Sequence, residues 1–270
     1  MKAHLLFSSL LFLLLLSIVH TAPLRSVTDN EEYILPNLIN VPLVKLLGKE
    51  CYVSLIEELH VTDVPCVKLA ISKGLGLGIV VGGAIIKIPQ IVTIIKHSSV
   101  QGLSFASFLL ETCAYEIVLM YNTRLSNPFS TYGEVFFMTI QNLIICGLIA
   151  YIGKPQYGWL SILGLMLGFV VLASIPSWLM SLLYAAQIPI GLASKVPQIR
   201  ANYINQSTGQ LSVFAVLNYF LGTSARTFTT YTELDDPIML GGNLLATVLN
   251  GVLVFQLVYY WKNRPIVKSD

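Results

Sequence analysis

Seven apolar stretches, each close to the length of a bilayer crossing, leave this chain few ways to fold. They lie at about 69–91, 103–121, 133–152, 157–175, 178–199, 211–231 and 239–260. A helix rises about 1.5 Å per residue, so about 20 residues span a hydrocarbon core of about 30 Å. Lipid offers no partner to backbone N–H and C=O groups, so segments of this kind must be helical. Only 11% of the 270 residues are charged, against about 25% in a soluble domain, and the mean hydropathy is +0.73. Segment four is the shortest, and segment one is apolar once Lys73 and Lys87 extend toward the interfaces. A net charge of +2 supplies no basic field for nucleic acid. The four cysteines show no zinc spacing, and no Walker loop, GxSxG, HExxH or GxGxxG occurs. The sequence therefore points to no catalytic residue, metal or cofactor, and the chain is not expected to be an enzyme.

The first 22 residues carry one lysine and then a leucine-rich core, the pattern of a secretory signal peptide, with an uncleaved anchor as the alternative. Residues 23–67 form a polar segment expected in the lumen, with Asp29, Glu31, Glu32, Glu50, Glu57, Glu58 and Asp63. Within it Tyr52, Leu55, Ile56 and Leu59 recur at helical spacing, which predicts a short surface helix. Cys51 and Cys66 flank it; in an oxidising lumen they either form a disulfide or stay as two free thiols. Lysines and arginines then orient the chain. Lys96, Lys154, Arg200, Lys262, Arg264 and Lys268 fall on one side, and Arg124 with acidic Glu233, Asp235 and Asp236 on the other. This bias places the N-terminus in the lumen and the C-terminus in the cytosol. The sequon at Asn205 is then cytosolic and unmodified.

The chain also repeats itself. "KIPQIVTIIKHSSVQGLS" (87–104) aligns with "KVPQIRANYINQSTGQLS" (195–212) at a shift of 108, with seven identities in 18 positions. One further inserted residue aligns Pro128 with Pro237, Gly133 with Gly242 and Tyr151 with Tyr260. Each copy thus covers three segments. Two three-helix units joined directly would point opposite ways, because three is odd. Segment four restores the orientation. The expected fold is an all-α membrane protein of seven transmembrane helices, two parallel three-helix bundles joined by a linker helix, 3+1+3. The expected parts are a first bundle at 68–155, a linker helix at 156–177, a second bundle at 178–264 and a cytosolic tail at 265–270.

The paired Pro-Gln resembles the PQ-loop repeats of the superfamily that includes cystinosin-like transporters and the SWEET sugar carriers. Further stretches resemble the mannose-phosphate-dolichol utilization defect family. These are "CYVSLIEELHVTDVPCVKLAISKGLGLGIVVGG", "SSVQGLSFASFLLE", "TGQLSVFAVLNYFLGTSARTFTT" and "NGVLVFQLVYYW", within residues 51 to about 262. The resemblance implies a multi-pass endoplasmic reticulum protein needed to use dolichol-phosphate-mannose and dolichol-phosphate-glucose in lipid-linked oligosaccharide, N-glycan and GPI-anchor synthesis. Its implied partners are membrane lipid, those dolichol-linked sugars and luminal glycosyltransferases. The alternative is a PQ-loop carrier of a small soluble sugar or amino acid, proton-coupled through Glu111.

Several residues carry the chemistry. Pro89 and Pro197 remove a backbone N–H near the ends of segments one and five; the amides of Gln90 and Gln198 are candidates either to serve the freed carbonyls or to bond across helices. The motif acts either as a hinge or as a fixed kink, and Pro189 adds a bend to segment five alone. Charges at membrane depth are functional candidates by default. Glu111 in segment two and Arg226 in segment six occupy equivalent helices, so they are expected to face each other and line a central polar site; a structural ion pair is the alternative. Lys87 and Lys195 either hold a phosphate as point charges or snorkel to headgroups. Asn218 and Asn250 are candidates for a polar substrate cavity, or for interhelical hydrogen bonds. The small-xxx-small spacings Gly74/Gly78 and Gly78/Gly82 predict close helix packing.

Overall fold

The computed structural model describes residues 36–193, 195–208 and 211–261. Residues 1–22, expected to form a signal peptide or anchor, the start of the polar segment and the tail at 265–270 lie outside them. Every regular element described is helical: α1 (Asn37–Leu47), α2 (Lys49–Tyr52, continued by a wider π turn over Val53–Glu57), α3 (Val64–Ile85), α4 (Ile88–His97), α5 (Phe105–Arg124), α6 (Gly133–Ile152), α7 (Gly158–Ser174), α8 (Ser177–Leu192), α9 (Lys195–Ile204), α10 (Val213–Glu233) and α11 (Pro237–Tyr259). Among the described residues, four stretches are long and apolar enough to cross a membrane: Val64–His97, Gly133–Ile152, Ser177–Ile204 and Pro237–Tyr259. The apolar α7 is 17 residues long. Ile71, Leu75, Val81, Leu163, Leu167, Val248 and Phe255 are exposed on these helices. So much exposed apolar surface is tolerated in lipid and not in water. The chain is a multi-pass membrane protein.

Segments one and five each run on past their expected ends at 91 and 199, to His97 and Ile204, and each is broken on the way. Polar residues Thr93, Lys96 and His97, and Arg200 and Asn202, end the apolar signal without ending the helix. The two copies then turn alike. Ser98 and Gln206, which are 108 apart, both adopt positive φ (47° each) just after the helix, a left-handed close common at helix C-termini. Ser104 and Ser212 then cap α5 and α10, accepting from the N–H of Ser107 and Ala215 at 3.3 Å. An N-cap of this kind contributes about 1 kcal/mol.

In the first copy α6 packs on both α3 and α5; in the second α11 packs on α8, α9 and α10. The third helix therefore lies against the other two in each copy. Between copies α3 packs on α10 and α5 on α8. These contacts are reciprocal, since α3 corresponds to α8 and α5 to α10. Segments two and six, expected to face each other, are not a packed pair; each lies on the first helix of the other copy. The linker α7 packs on α5 and α6.

The expected small-xxx-small contacts are also corrected. A Cβ at Gly74, Gly78 or Gly82 would meet nothing within 4 Å. The close approaches are at Gly76, where a Cβ would lie 2.7 Å from the Ser130 carbonyl oxygen, and at Gly83, where it would run into Glu134. These two glycines let α3 descend onto the start of α6. Outside the bundle, Tyr52 is fully buried, and a disulfide joins Cys51 to Cys66 with Cα atoms 5.1 Å apart. Asp63 caps α3 by accepting from the Cys66 N–H.

Candidate functional site

The first Pro-Gln motif lies at the break between α3 and α4. Lys87 is the residue before α4 (φ −99°, ψ −3°), and Pro89 sits in the first turn of the new helix, where its missing N–H costs least. The proline therefore follows the break instead of closing the helix. A continuous helix would join the Lys87 N–H to the Gly83 carbonyl. Instead the Lys87 N–H donates to Gln141 Oε1 at 2.9 Å, and Gln141 Nε2 donates to the Gly83 carbonyl at 2.8 Å. One amide from α6 is thus spliced into the backbone ladder. Gln90 was one candidate for this donor; Gln141 performs the role.

The Lys87 ammonium donates to Glu111 Oε2 and to Asn142 Oδ1, both at 2.6 Å. Asn142 Nδ2 also donates to Glu111 Oε2 at 2.9 Å, and the Tyr115 hydroxyl to Glu111 Oε1 at 2.6 Å. The rings of Phe108 and Tyr115 lie 5.5 and 5.7 Å from the ammonium. All three helices of the first copy converge here, and the lysine's charge is neutralised.

The second break is built differently. At the repeat shift of 108, Tyr219 stands where Glu111 stands in the first copy. Lys195 Nζ lies 4.4 Å from the Tyr219 ring centroid, and no described carboxylate pairs with it. A ring face attracts a cation without neutralising it. Around Lys195 is a cleft of about 130 Å³, lined also by Gln198, Ser212, Tyr219 and Asn250. Asn250 is buried. Behind it, Asn202 Nδ2 donates to Gln256 Oε1 (3.0 Å), and Gln256 Nε2 to the Ile199 carbonyl (2.9 Å). The structure thus brings Lys195, Gln198 and Asn250 together. Asn218 stays out: its amide is exposed and donates to the Phe214 carbonyl of its own helix at 2.9 Å.

Arg226 also departs from expectation. It does not meet Glu111. Its Nη1 donates to the carbonyls of Thr131 (2.9 Å) and Ser130 (3.3 Å), and Nη2 lies 2.5 Å from Glu134 Oε1. Nearby, Glu233 Oε2 accepts from Lys73 Nζ at 2.6 Å and from Ser130 Oγ at 3.1 Å, and Ser72 donates to Oε1. The Tyr121 hydroxyl donates to Asp236 Oδ2 at 2.7 Å. Polar contacts between the copies gather at this end, where α6 and α11 begin; those at the two breaks stay within one copy. Asp236 additionally caps α11 through the N–H groups of Ile238 and Met239.

Glu134, and not Glu111, is the partner of Arg226, and Lys73 is held inside the bundle instead of reaching to the interface. The signal in the sequence was a charge at the start of segment three, whose close approach to Gly83 only the fold reveals.

Residues 71–131 and 179–239 each match the PQ loop repeat. The chain carries two PQ-loop repeats. The matched blocks are offset by 108, the shift that superposes the two Lys-x-Pro-Gln motifs. No solved structure matches the chain. Within the PQ-loop repeats, the first lysine is internally paired, and the second faces a cleft that also holds Gln198, Ser212 and Asn250, with no described carboxylate beside it.

Proposed function

We propose that the chain is a seven-helix, 3+1+3 protein of the endoplasmic reticulum membrane, N-terminus luminal and C-terminus cytosolic. On this reading it serves the use of dolichol-phosphate-mannose and dolichol-phosphate-glucose in lipid-linked oligosaccharide, N-glycan and GPI-anchor synthesis. It acts on the lipid donor without chemistry of its own, presenting or moving it for luminal glycosyltransferases. The resemblance of residues 51 to about 262 supports the donor class, and the reciprocal packing of the two copies supports the 3+1+3 arrangement.

The observation that carries the site is the asymmetry of the two lysines. Lys87 is neutralised by Glu111, whereas Lys195 has only the Tyr219 ring and a cleft with Ser212, Gln198 and Asn250. A phosphodiester supplies the missing negative charge, and the hydroxyl and amides supply donors for its oxygens. Lys195 acts as the point charge, and the Pro-Gln break positions it. The second reading, a proton-coupled carrier of a small soluble solute, draws on Glu111, whose carboxylate is held by Lys87, Tyr115 and Asn142 at the first break.

Complementation of cells that lack their own utilization-defect protein tests the proposal, scored by lipid-linked oligosaccharide length. The chain restores full-length oligosaccharide, and Lys195→Gln at equal protein level does not. Truncated oligosaccharide with the unsubstituted chain overturns the donor reading. Uptake of a sugar or amino acid that follows a pH gradient replaces it with the carrier.

A further inference from the structure

A second cleft lies between α5 and α7, apart from both breaks. Leu109, Cys113 and Glu116 line it from one face of α5, and Ser161, Gly164, Leu165 and Gly168 from one face of α7. Spacings of three and four residues place each set on a single helix face. The cleft measures about 280 Å³, against about 30 Å³ for a water molecule.

Two independent features make it more than a packing gap. Glycines four apart in a membrane helix ordinarily bring two backbones together. Here a Cβ at Gly164 or Gly168 would meet no atom within 4 Å, so the glycines leave room that nothing fills. Facing that room is Glu116, whose side chain is 6% exposed as a residue and lines the cleft. Among the described residues its carboxyl group makes no hydrogen bond and no ion pair. Buried polar groups are satisfied in the large majority of cases, and a carboxyl left alone in an apolar setting is costly. The one hydroxyl in the wall does not help, because Ser161 donates to the Tyr157 carbonyl at 3.0 Å. The partner of Glu116 therefore comes from outside the described residues, and the cleft it faces is where a ligand would supply it.

The surroundings narrow its chemistry. Leu110, Leu160, Leu163 and Leu167 beside the cleft are all more than half exposed, so the mouth opens on the lipid-facing surface and the ligand arrives through the bilayer. No cation lines the cleft, which turns away phosphorylated lipids and separates this site from Lys195. A single carboxyl between apolar walls also leaves the three N–H donors of an ammonium largely unserved. We infer that the α5–α7 cleft binds a membrane-borne alcohol, with its slender apolar body against Gly164 and Gly168 and its hydroxyl donating to Glu116.

The test uses the full chain in phosphatidylcholine vesicles and a hexadecanol carrying a mid-chain diazirine. After photolysis, the adducts are mapped by peptide mass spectrometry. Expected are adducts concentrated on residues 109–116 and 161–168, competed by plain hexadecanol. Hexadecyl methyl ether, which lacks the donor, competes about fivefold less well, the ratio that one net hydrogen bond of about 1 kcal/mol supports. Gly168→Leu, whose Cβ would meet no atom within 4 Å and whose side chain enters the cleft, removes these adducts. Glu116→Leu removes the preference for alcohol over ether, and a thermal unfolding scan of both variants confirms that they fold. Adducts spread evenly over the outer face of α7, equal competition by alcohol and ether, or competition by hexadecylamine in preference to hexadecanol would each overturn the inference.

Discussion

Lys73 and Glu233 meet at 2.6 Å across the boundary between the two repeats, with side chains only 11% and 1% exposed. The lysine lies on α3 and the glutamate ends α10, so the pair ties together the helices that join the copies. Removing one partner of a buried pair leaves the other charged and alone, at a cost of about 3–5 kcal/mol, whereas replacing both with apolar groups is often close to neutral. Lys73→Met and Glu233→Leu are each expected to lower the thermal stability of the purified chain severely. The double variant loses much less than the sum of the two. Unfolding midpoints of all four forms in detergent complete the cycle, and strict additivity would falsify the pairing.

Gln141 holds the first break open. Its amide occupies both the Lys87 N–H and the Gly83 carbonyl, groups that would otherwise serve one another. Gln141→Leu keeps the bulk and leaves both groups without partners. Each unsatisfied group costs about 1–3 kcal/mol. Hydrogen–deuterium exchange over residues 84–90 is expected to speed up in this variant while exchange over the second break stays unchanged. Equal protection in both forms would show that Pro89 alone maintains the break.

Much of this fold was legible beforehand. The third segment coincides with α6, and the ends of segments two, four, six and seven fall within three residues of their helices, because long apolar runs have sharp edges. The repeat placed the breaks. Facing relationships were not legible. Glu111 and Arg226 stand on equivalent helices, yet each of those helices packs against the first helix of the other copy. Equivalence in sequence does not imply contact between the equivalent helices. Asn218 and Asn250 likewise look alike in sequence, but one faces outward to its own backbone and the other is buried beside Lys195.

The glycines of α3 separate by what lies opposite them. At Gly83 a side chain would collide with Glu134, whereas at Gly78 it would meet nothing within 4 Å. Gly83→Ala is expected to cost about 1–3 kcal/mol through overpacking. Gly78→Ala adds a Cβ to open space and is expected to stabilise the helix by up to about 1 kcal/mol. Thermal unfolding of the two variants side by side decides the matter, and equal midpoints would mean that α3 and α6 separate easily at this level.

The sharpest consequence of the repeat concerns Tyr219. It occupies the register of Glu111, and its ring leaves the Lys195 charge uncompensated. Tyr219→Glu rebuilds at the second break what the first already has, a carboxylate beside the lysine. A paired ammonium no longer offers its charge to an anion. Loss of one charge-assisted contact of about 1.5 kcal/mol lowers phosphate affinity about tenfold. Tyr219→Glu and Lys195→Gln are therefore expected to fail alike in the oligosaccharide assay, although one removes the cation and the other keeps it. Tyr219→Phe retains the ring and the free charge and should restore full-length oligosaccharide. A functional Tyr219→Glu chain would mean that Lys195 holds no anion during the working cycle.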